Sequence, residues 1–122
     1  MQVVDFGPEQ AEVIGEFGSR GARAVALGDG VGRAHVYAVH VEPGGQIGAH
    51  PAGFGQLFLV VTGSGWVAGA DGRRVPLAAG QGAYIGRGEI HAKGSDSGMV
   101  AIMVQVDELR PKPPSREAGG AV

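Results

Sequence analysis

The chain has 122 residues, enough for one domain, and its 43% hydrophobic and 18% charged residues are typical of globular proteins. A net charge of -2 predicts no nucleic-acid partner, and no apolar run approaches the roughly 18 residues that span a membrane. Without cysteine, a metal would have only histidine, carboxylate or amide ligands. The N-terminus lacks a basic and apolar leader, so we expect a cytoplasmic protein.

Glycine is the unusual component, with 24 glycines and 7 prolines in the chain. They stand between short apolar runs, which is typical of tight turns between strands. The chain therefore predicts an all-β fold, in the form of a sandwich or a barrel.

Residues 1–27 are weakly patterned, and we interpret them as an N-terminal arm. Within this arm, residues 3–6 predict a short edge strand, residues 8–17 a helical turn or more, and residues 22–27 another strand. Gly28-Asp29-Gly30 then predicts a turn.

A barrel over residues 28–109 follows, and residues 110–122 predict a flexible tail because they lack an apolar period. Gly63-Ser64-Gly65 and Asp71-Gly72 predict turns inside the barrel. The predicted barrel strands cover residues 34–41, 56–62, 66–70, 73–77, 83–85 and 98–106.

Two histidines follow glycine-rich turns, His50 and His91. Imidazole is the commonest side-chain ligand of first-row transition metals, so both are candidate metal ligands, although two loop imidazoles in water are the simpler alternative. Gln56 begins the most apolar strand. It is either a neutral oxygen ligand, a hydrogen-bond donor to a substrate, or a buried amide bonded to the backbone.

Three further residues are candidates for acid-base catalysis. His35 and Tyr37 share one face of a strand, and strand alternation places Lys93 on the same face as His91. Lys93 would act as a cation for an anionic substrate. The alternatives are a solvated edge for His35 and Tyr37 and an exposed position for Lys93.

Residues 34–106 resemble the two motifs of the cupin family. The positions that match the motifs are Gly44, His50, Gly63, Gly80, Gly88 and His91. Four positions depart from the pattern. Gln56 replaces the motif glutamate, Ala52 replaces the second histidine, Gly86 replaces a proline, and Ser95 replaces an asparagine.

The sequence is most similar to small bacterial cupins that carry glutamine at this position, which include manganese-dependent hydroxynitrile lyases. The shared segments are Gly55-Gln56, Gly65-Trp66-Val67 and Gly88-Glu89-Ile90-His91. The resemblance implies a single-domain cupin barrel (a double-stranded β-helix or jelly roll), a homodimer, and a divalent metal (Mn, Fe, Zn or Ni) on His50, Gln56 and His91. Lys93 stands where relatives often carry a further pocket histidine.

Two functional hypotheses follow. The first is a metal-dependent lyase, isomerase or dioxygenase that acts on a small organic molecule in the barrel, and it is favoured by His50, Gln56 and His91 together. The second is a metal-free cupin that binds or senses a small molecule, and it is favoured by Ala52, which removes an imidazole ligand.

Overall fold

The structure, a computed structural model, describes residues 1–112 and the backbone of residues 116–117. The regular structure in these residues is all strand, apart from a single 3-10 turn at Pro8–Gln10, so the all-β class is confirmed. The strands are β1 (Gln2–Asp5), β2 (Glu12–Val13), β3 (Arg23–Ala24), β4 (Gly28–Val41), β5 (Gln46–Pro51), β6 (Gly55–Ala68), β7 (Arg74–Ala78), β8 (Gln81–Ile85), β9 (Ile90–Gly94), β10 (Met99–Pro111) and β11 (Arg116–Glu117). No helix of the described residues is long and apolar enough to cross a membrane.

The long strand β6 belongs to both walls of the barrel. Its first half pairs with β8 and β10, and its second half pairs with β7 and β9. The first wall has the order β11-β1-β8-β6-β10-β4, and β5 pairs with β9 in the second. The main hydrophobic cluster joins Phe58 and Ala101 of the first wall to Val67 and Leu77 of the second, so the core lies between the walls.

Strand β6 changes walls at Gly63. The sequence predicts a turn at Gly63-Ser64-Gly65, but the strand continues through these residues to Ala68, so that prediction is wrong. Gly63 has a φ of 77°, and a Cβ there would collide with the carbonyl oxygen of Gly98. The pairing with β10 also shifts register between Val60 and Thr62, just before this residue. The glycine therefore bends the strand instead of ending it.

Gly28-Asp29-Gly30 is also part of a strand, and the turn predicted there is wrong. These residues begin β4 and pair with the end of β10, where Leu109 lies opposite Gly30. A Cβ at Gly30 would lie 2.7 Å from the carbonyl oxygen of Glu108 and 2.8 Å from Cγ1 of Val106. This glycine allows two backbones to approach closely. In the sequence, a glycine with this role gives the same pattern as a glycine in a turn.

The N-terminal residues divide into a strand of the barrel and a small hairpin. The strand predicted at residues 3–6 is confirmed as β1, but it is not an edge strand, because it pairs with β8 on one side and with the backbone of β11 on the other. Strands β2 and β3 pair with each other in a separate sheet, and Phe17 between them is 93% exposed. The helical turn predicted in residues 8–17 is limited to Pro8–Gln10.

The tail predicted from residue 110 is only partly within the described structure. Strand β10 extends to Pro111, and the backbone of Arg116–Glu117 pairs with β1. Residues 113–115 and 118–122 lie outside the described residues. The three-part division of the chain stays a prediction.

We predict that Gly63→Ala lowers the free energy of unfolding more than Gly72→Ala does. The two glycines have φ values of 77° and 75°, so alanine is strained at both. A Cβ at Gly72 meets nothing within 4 Å, whereas one at Gly63 meets backbone. We expect an additional loss of about 1–3 kcal/mol at Gly63, measured by urea denaturation. Equal losses at the two positions would contradict the role assigned to Gly63.

The homodimer expected from the resemblance also stays a prediction, and the outer face of β4 is where we expect it. This strand lies at the edge of its wall, and Val36 on its outer face is 66% exposed. The adjacent outer residue on β10 is Val104. Exposed apolar side chains on an edge strand favour contact with another chain.

Light scattering should therefore give about twice the 12.3 kDa chain mass. We expect Val36→Glu to shift the protein towards the monomer, whereas Ala70→Glu in the exposed β6–β7 turn should leave the mass unchanged. A wild-type mass of one chain at micromolar concentration would refute the dimer.

Candidate functional site

The inner face of β4 carries His35 and Tyr37. They pair with Gln105 and Met103 of β10, and Met103 packs against the main core cluster. Because paired residues of neighbouring strands share a face, both side chains point to the interior side of the sheet. Tyr37 is still 47% exposed, since β4 is the edge strand, and His35 is partly buried.

Gln56 lies deep in the same wall. It is 1% exposed and pairs with Gln105 on one side and Ile85 on the other. It precedes Phe58 by two residues, so both side chains share the inner face of β6. A neutral amide is thereby held among apolar side chains, where it needs hydrogen-bond partners.

His50 and His91 meet on the opposite wall. They are directly paired between β5 and β9, and their ring centroids are 4.5 Å apart. The Nδ1 atom of His50 lies 2.7 Å from the carbonyl oxygen of Gly48. Since a carbonyl only accepts, Nδ1 carries the hydrogen, and the lone pair of the neutral ring is on Nε2. Of the two histidines, His50 is the exposed one.

His91 is fully buried, and neither of its ring nitrogens has a hydrogen-bond partner in the described residues. Burial, with further contributions from Lys93 and His50, lowers its pKa from 6.5 to about 4. The ring is therefore neutral at physiological pH, with one donor and one acceptor nitrogen. Buried polar atoms in folded proteins almost always have partners, so these two nitrogens indicate a water molecule or a ligand.

Lys93 is 2% exposed, and its ammonium group lies inside the barrel. Its Nζ donates to Oε1 of Gln56 at 2.5 Å and lies 3.3 Å from Sδ of Met103. The same nitrogen lies 4.8 Å from the ring centroid of Phe58. In the described part of the chain no carboxylate forms an ion pair with it. Burial lowers the pKa of Lys93 from 10.5 to about 8.

Phe54, on the loop between β5 and β6, stands beside the polar residues of β4. Its ring centroid is 5.3 Å from that of His35. The guanidinium groups of Arg33 and Arg87 lie 5.6 and 5.7 Å from the same ring. The carboxylate of Asp107 forms ion pairs with both arginines, at 3.4 Å to Nε of Arg33 and 3.6 Å to a terminal nitrogen of Arg87. Phe54, the two arginines and Asp107 form an arginine-aromatic cluster at the rim of the barrel.

The structure brings together most of the predicted site residues. Gln56 and Lys93 are in direct contact, and His50 and His91 are paired. His35 is next to Tyr37, with ring centroids 6.5 Å apart on the facing wall. These placements leave the roles of the residues as predictions.

Sequence reasoning missed the two apolar neighbours Phe54 and Met103, and the arginines of the rim. Met103 was detectable in principle, because it alternates with Ala101 and Gln105 along β10. Phe54 and the arginines come from separate segments, and their spacing carries no signal.

Solved structures of similar fold include a cupin-like protein and a cupin barrel domain protein. A cupin-like protein from Thermotoga maritima matches with a TM-score of 0.58 and 22% identity, covering 66% of this chain and 65% of that protein. A Cupin 2 conserved barrel domain protein from Salinispora arenicola matches with a TM-score of 0.55 and 25% identity, covering 61% and 63%. The chain has the cupin fold.

A conserved protein of unknown function from Streptococcus pyogenes also matches, with a TM-score of 0.56 and 18% identity over 74% of this chain and 72% of that protein. The chain spans slightly less than two thirds of the two cupins named above. No family model matches the sequence, and no curated protein matches it significantly. The cupin fold is shared by many activities, so it identifies no substrate or reaction.

The residues of this barrel do not fit the divalent metal that the cupin resemblance implies. Gln56 would be one ligand, but its Oε1 atom is engaged by the ammonium of Lys93. A metal bound to that oxygen would lie beside a positive charge, which opposes binding. Ala52 supplies no third imidazole, and the described residues contain no group of three His, Cys, Asp or Glu side chains able to hold a metal ion.

We predict that Lys93→Met stabilises the protein at neutral pH. Between pH 8 and 10.5 the unfolded chain binds the proton and the folded chain releases it, so the stability of the wild type rises with pH across this window. Below pH 8 the folded protein carries the cost of the buried charge. The variant should gain about 1–2 kcal/mol at pH 7, since this cost exceeds the value of the bond to Gln56.

Urea denaturation at pH 7 and at pH 10 measures the effect, with the exposed Lys112→Met as the matched control. The gain should shrink at the higher pH, and the control should change little at either. A loss of stability in Lys93→Met at pH 7 would contradict an uncompensated buried charge.

Proposed function

We propose that this protein is a metal-independent cupin that binds a small organic molecule inside the barrel. The observation that supports the proposal is the position of Lys93, whose Nζ lies 2.5 Å from Oε1 of Gln56. The lysine thereby uses the amide oxygen that a metal would require. Its ammonium supplies the positive charge of the site without a metal.

The polar groups of the interior have hydrogen-bonding positions that the described residues do not fill and that a ligand would fill. Lys93 offers a buried ammonium, His91 offers a donor and an acceptor, and His50 borders the exposed side of the pair. Phe58 and Met103 supply apolar contacts around the ammonium. A few convergent polar groups in an apolar surround are typical of small-molecule sites. A small-molecule partner and a cytoplasmic location remain predictions.

A metal-dependent lyase, isomerase or dioxygenase is the second candidate. It is favoured by His91, whose two buried nitrogens lack partners, and by the proximity of His50. In this alternative Lys93 must leave Gln56 before the site is complete. That rearrangement is the main argument for placing this candidate second.

Metal analysis separates the two candidates. Wild-type protein purified without a tag, incubated in turn with Mn, Fe, Zn and Ni and then desalted, should retain well below one equivalent per chain. The double variant Ala52→His/Lys93→Met restores an imidazole and removes the ammonium, so it should retain more metal. Ala52→His alone is the matched control and should retain less than the double variant.

One equivalent of metal in the wild type, lost in both His50→Ala and His91→Ala, would overturn the proposal and favour the metal-dependent enzyme. These two variants should be folded by circular dichroism for the comparison to count. If neither loses metal, the ion is bound elsewhere and the barrel stays metal-independent.

A further inference from the structure

The ammonium of Lys93 is a charge without a counter-charge. It is 2% exposed, and its contacts are an amide oxygen, a thioether sulfur and an aromatic ring. All three are neutral. Buried charges in proteins are normally paired, because their transfer from water is costly. The described residues supply no carboxylate for this lysine, and a ligand is the remaining source of negative charge.

The lysine also has hydrogen-bonding capacity to spare. An ammonium has three donor hydrogens, and Nζ uses one for Gln56 and directs another at the weak acceptor Sδ of Met103. The third has no hydrogen-bond acceptor in the described residues, although the ring of Phe58 is nearby. An anionic oxygen is the strongest acceptor available for it.

His91 places a second requirement on the ligand, which must also carry a group that forms hydrogen bonds with a neutral imidazole. It lies two residues from Lys93 on the same face of β9 and is fully buried. Its neutral ring offers a donor on one nitrogen and an acceptor on the other, both without partners. A hydroxyl group satisfies an acceptor nitrogen by donating to it.

The charges at the rim agree with an anionic ligand. Arg33 and Arg87 are 75% and 57% exposed, and both share the single carboxylate of Asp107. The cluster therefore keeps one net positive charge beside Phe54. The nearby carboxylate of Glu89 is paired with the amino group of Met1 at 2.6 Å, so its charge is balanced. A positive rim attracts anions and raises their association rate.

We propose that the barrel binds a small hydroxycarboxylate. Its carboxylate pairs with the ammonium of Lys93, and its hydroxyl group bonds to the imidazole of His91. The inference rests on the proposed metal-independent site and names its ligand class. It requires no covalent step, because both contacts are hydrogen bonds between the ligand and existing groups.

Calorimetric titration with three probes tests the assignment. Glycolate carries a carboxylate and a hydroxyl, acetate a carboxylate alone, and ethylene glycol hydroxyls without charge. The expected order of affinity at pH 7 is glycolate, then acetate, then ethylene glycol. Lys93→Met should weaken glycolate binding by about tenfold to a hundredfold, the range for a hydrogen bond to a charged group.

Two variants complete the design. Lys112→Met removes the other lysine of the chain, which is exposed, and should leave every affinity unchanged. His91→Phe should bring glycolate down to the affinity of acetate, because only the hydroxyl contact is lost. Thermal melting confirms that each variant is folded.

Unchanged glycolate affinity in folded Lys93→Met overturns the assignment. So does equal or tighter binding of ethylene glycol, or no binding of either carboxylate at tens of millimolar. These outcomes refute the ligand class alone. The metal-independent site itself fails only if the wild type retains stoichiometric metal on His50 and His91.

Discussion

The hydrogen bond between Lys93 and Gln56 is the interaction on which the chemistry of this barrel depends. It joins the two walls, since Gln56 is on the half of β6 that pairs with β8 and β10, and Lys93 is on β9. A charged donor bonded to a neutral amide satisfies the oxygen of Gln56 but leaves the charge unbalanced. In our proposal, that imbalance opposes metal binding, lowers the stability of the protein at neutral pH and favours an anionic ligand. One contact would therefore connect the stability of the fold to the proposed function.

The walls meet in this way because β6 bends without ending. Gly63 lets the strand change walls, so a single chain segment places Gln56 in one sheet and pairs Val67 with Lys93 in the other. On its other side β9 pairs with β5, and this second pairing holds His91 opposite His50. Glycine thus contributes to the site indirectly, by fixing the path of the strand that carries the amide.

Local pattern was sufficient for the most apolar strands and for the identity of several site residues, but the predicted strands do not include β5 and β9, which carry His50 and His91. The alternation of β4 predicted that His35 and Tyr37 share a face, and the cupin resemblance selected Gln56 and His91. The contact between Gln56 and Lys93 was not predictable. The two residues are 37 positions apart in the sequence, and their contact depends on how their strands face each other across the barrel. The turns predicted at Gly30 and Gly63 were wrong, because a glycine that allows close approach of two backbones cannot be distinguished in the sequence from a glycine in a turn.

A crystal structure of the wild type grown with excess Mn²⁺ tests the central claim most directly. The account predicts that Nζ of Lys93 remains bonded to Oε1 of Gln56, with no anomalous density between His50, Gln56 and His91. A manganese ion bound to these three residues, with Lys93 displaced from the amide, would contradict it. In that case Lys93 would be a mobile side chain next to a metal site. Its buried charge would then not prevent metal binding.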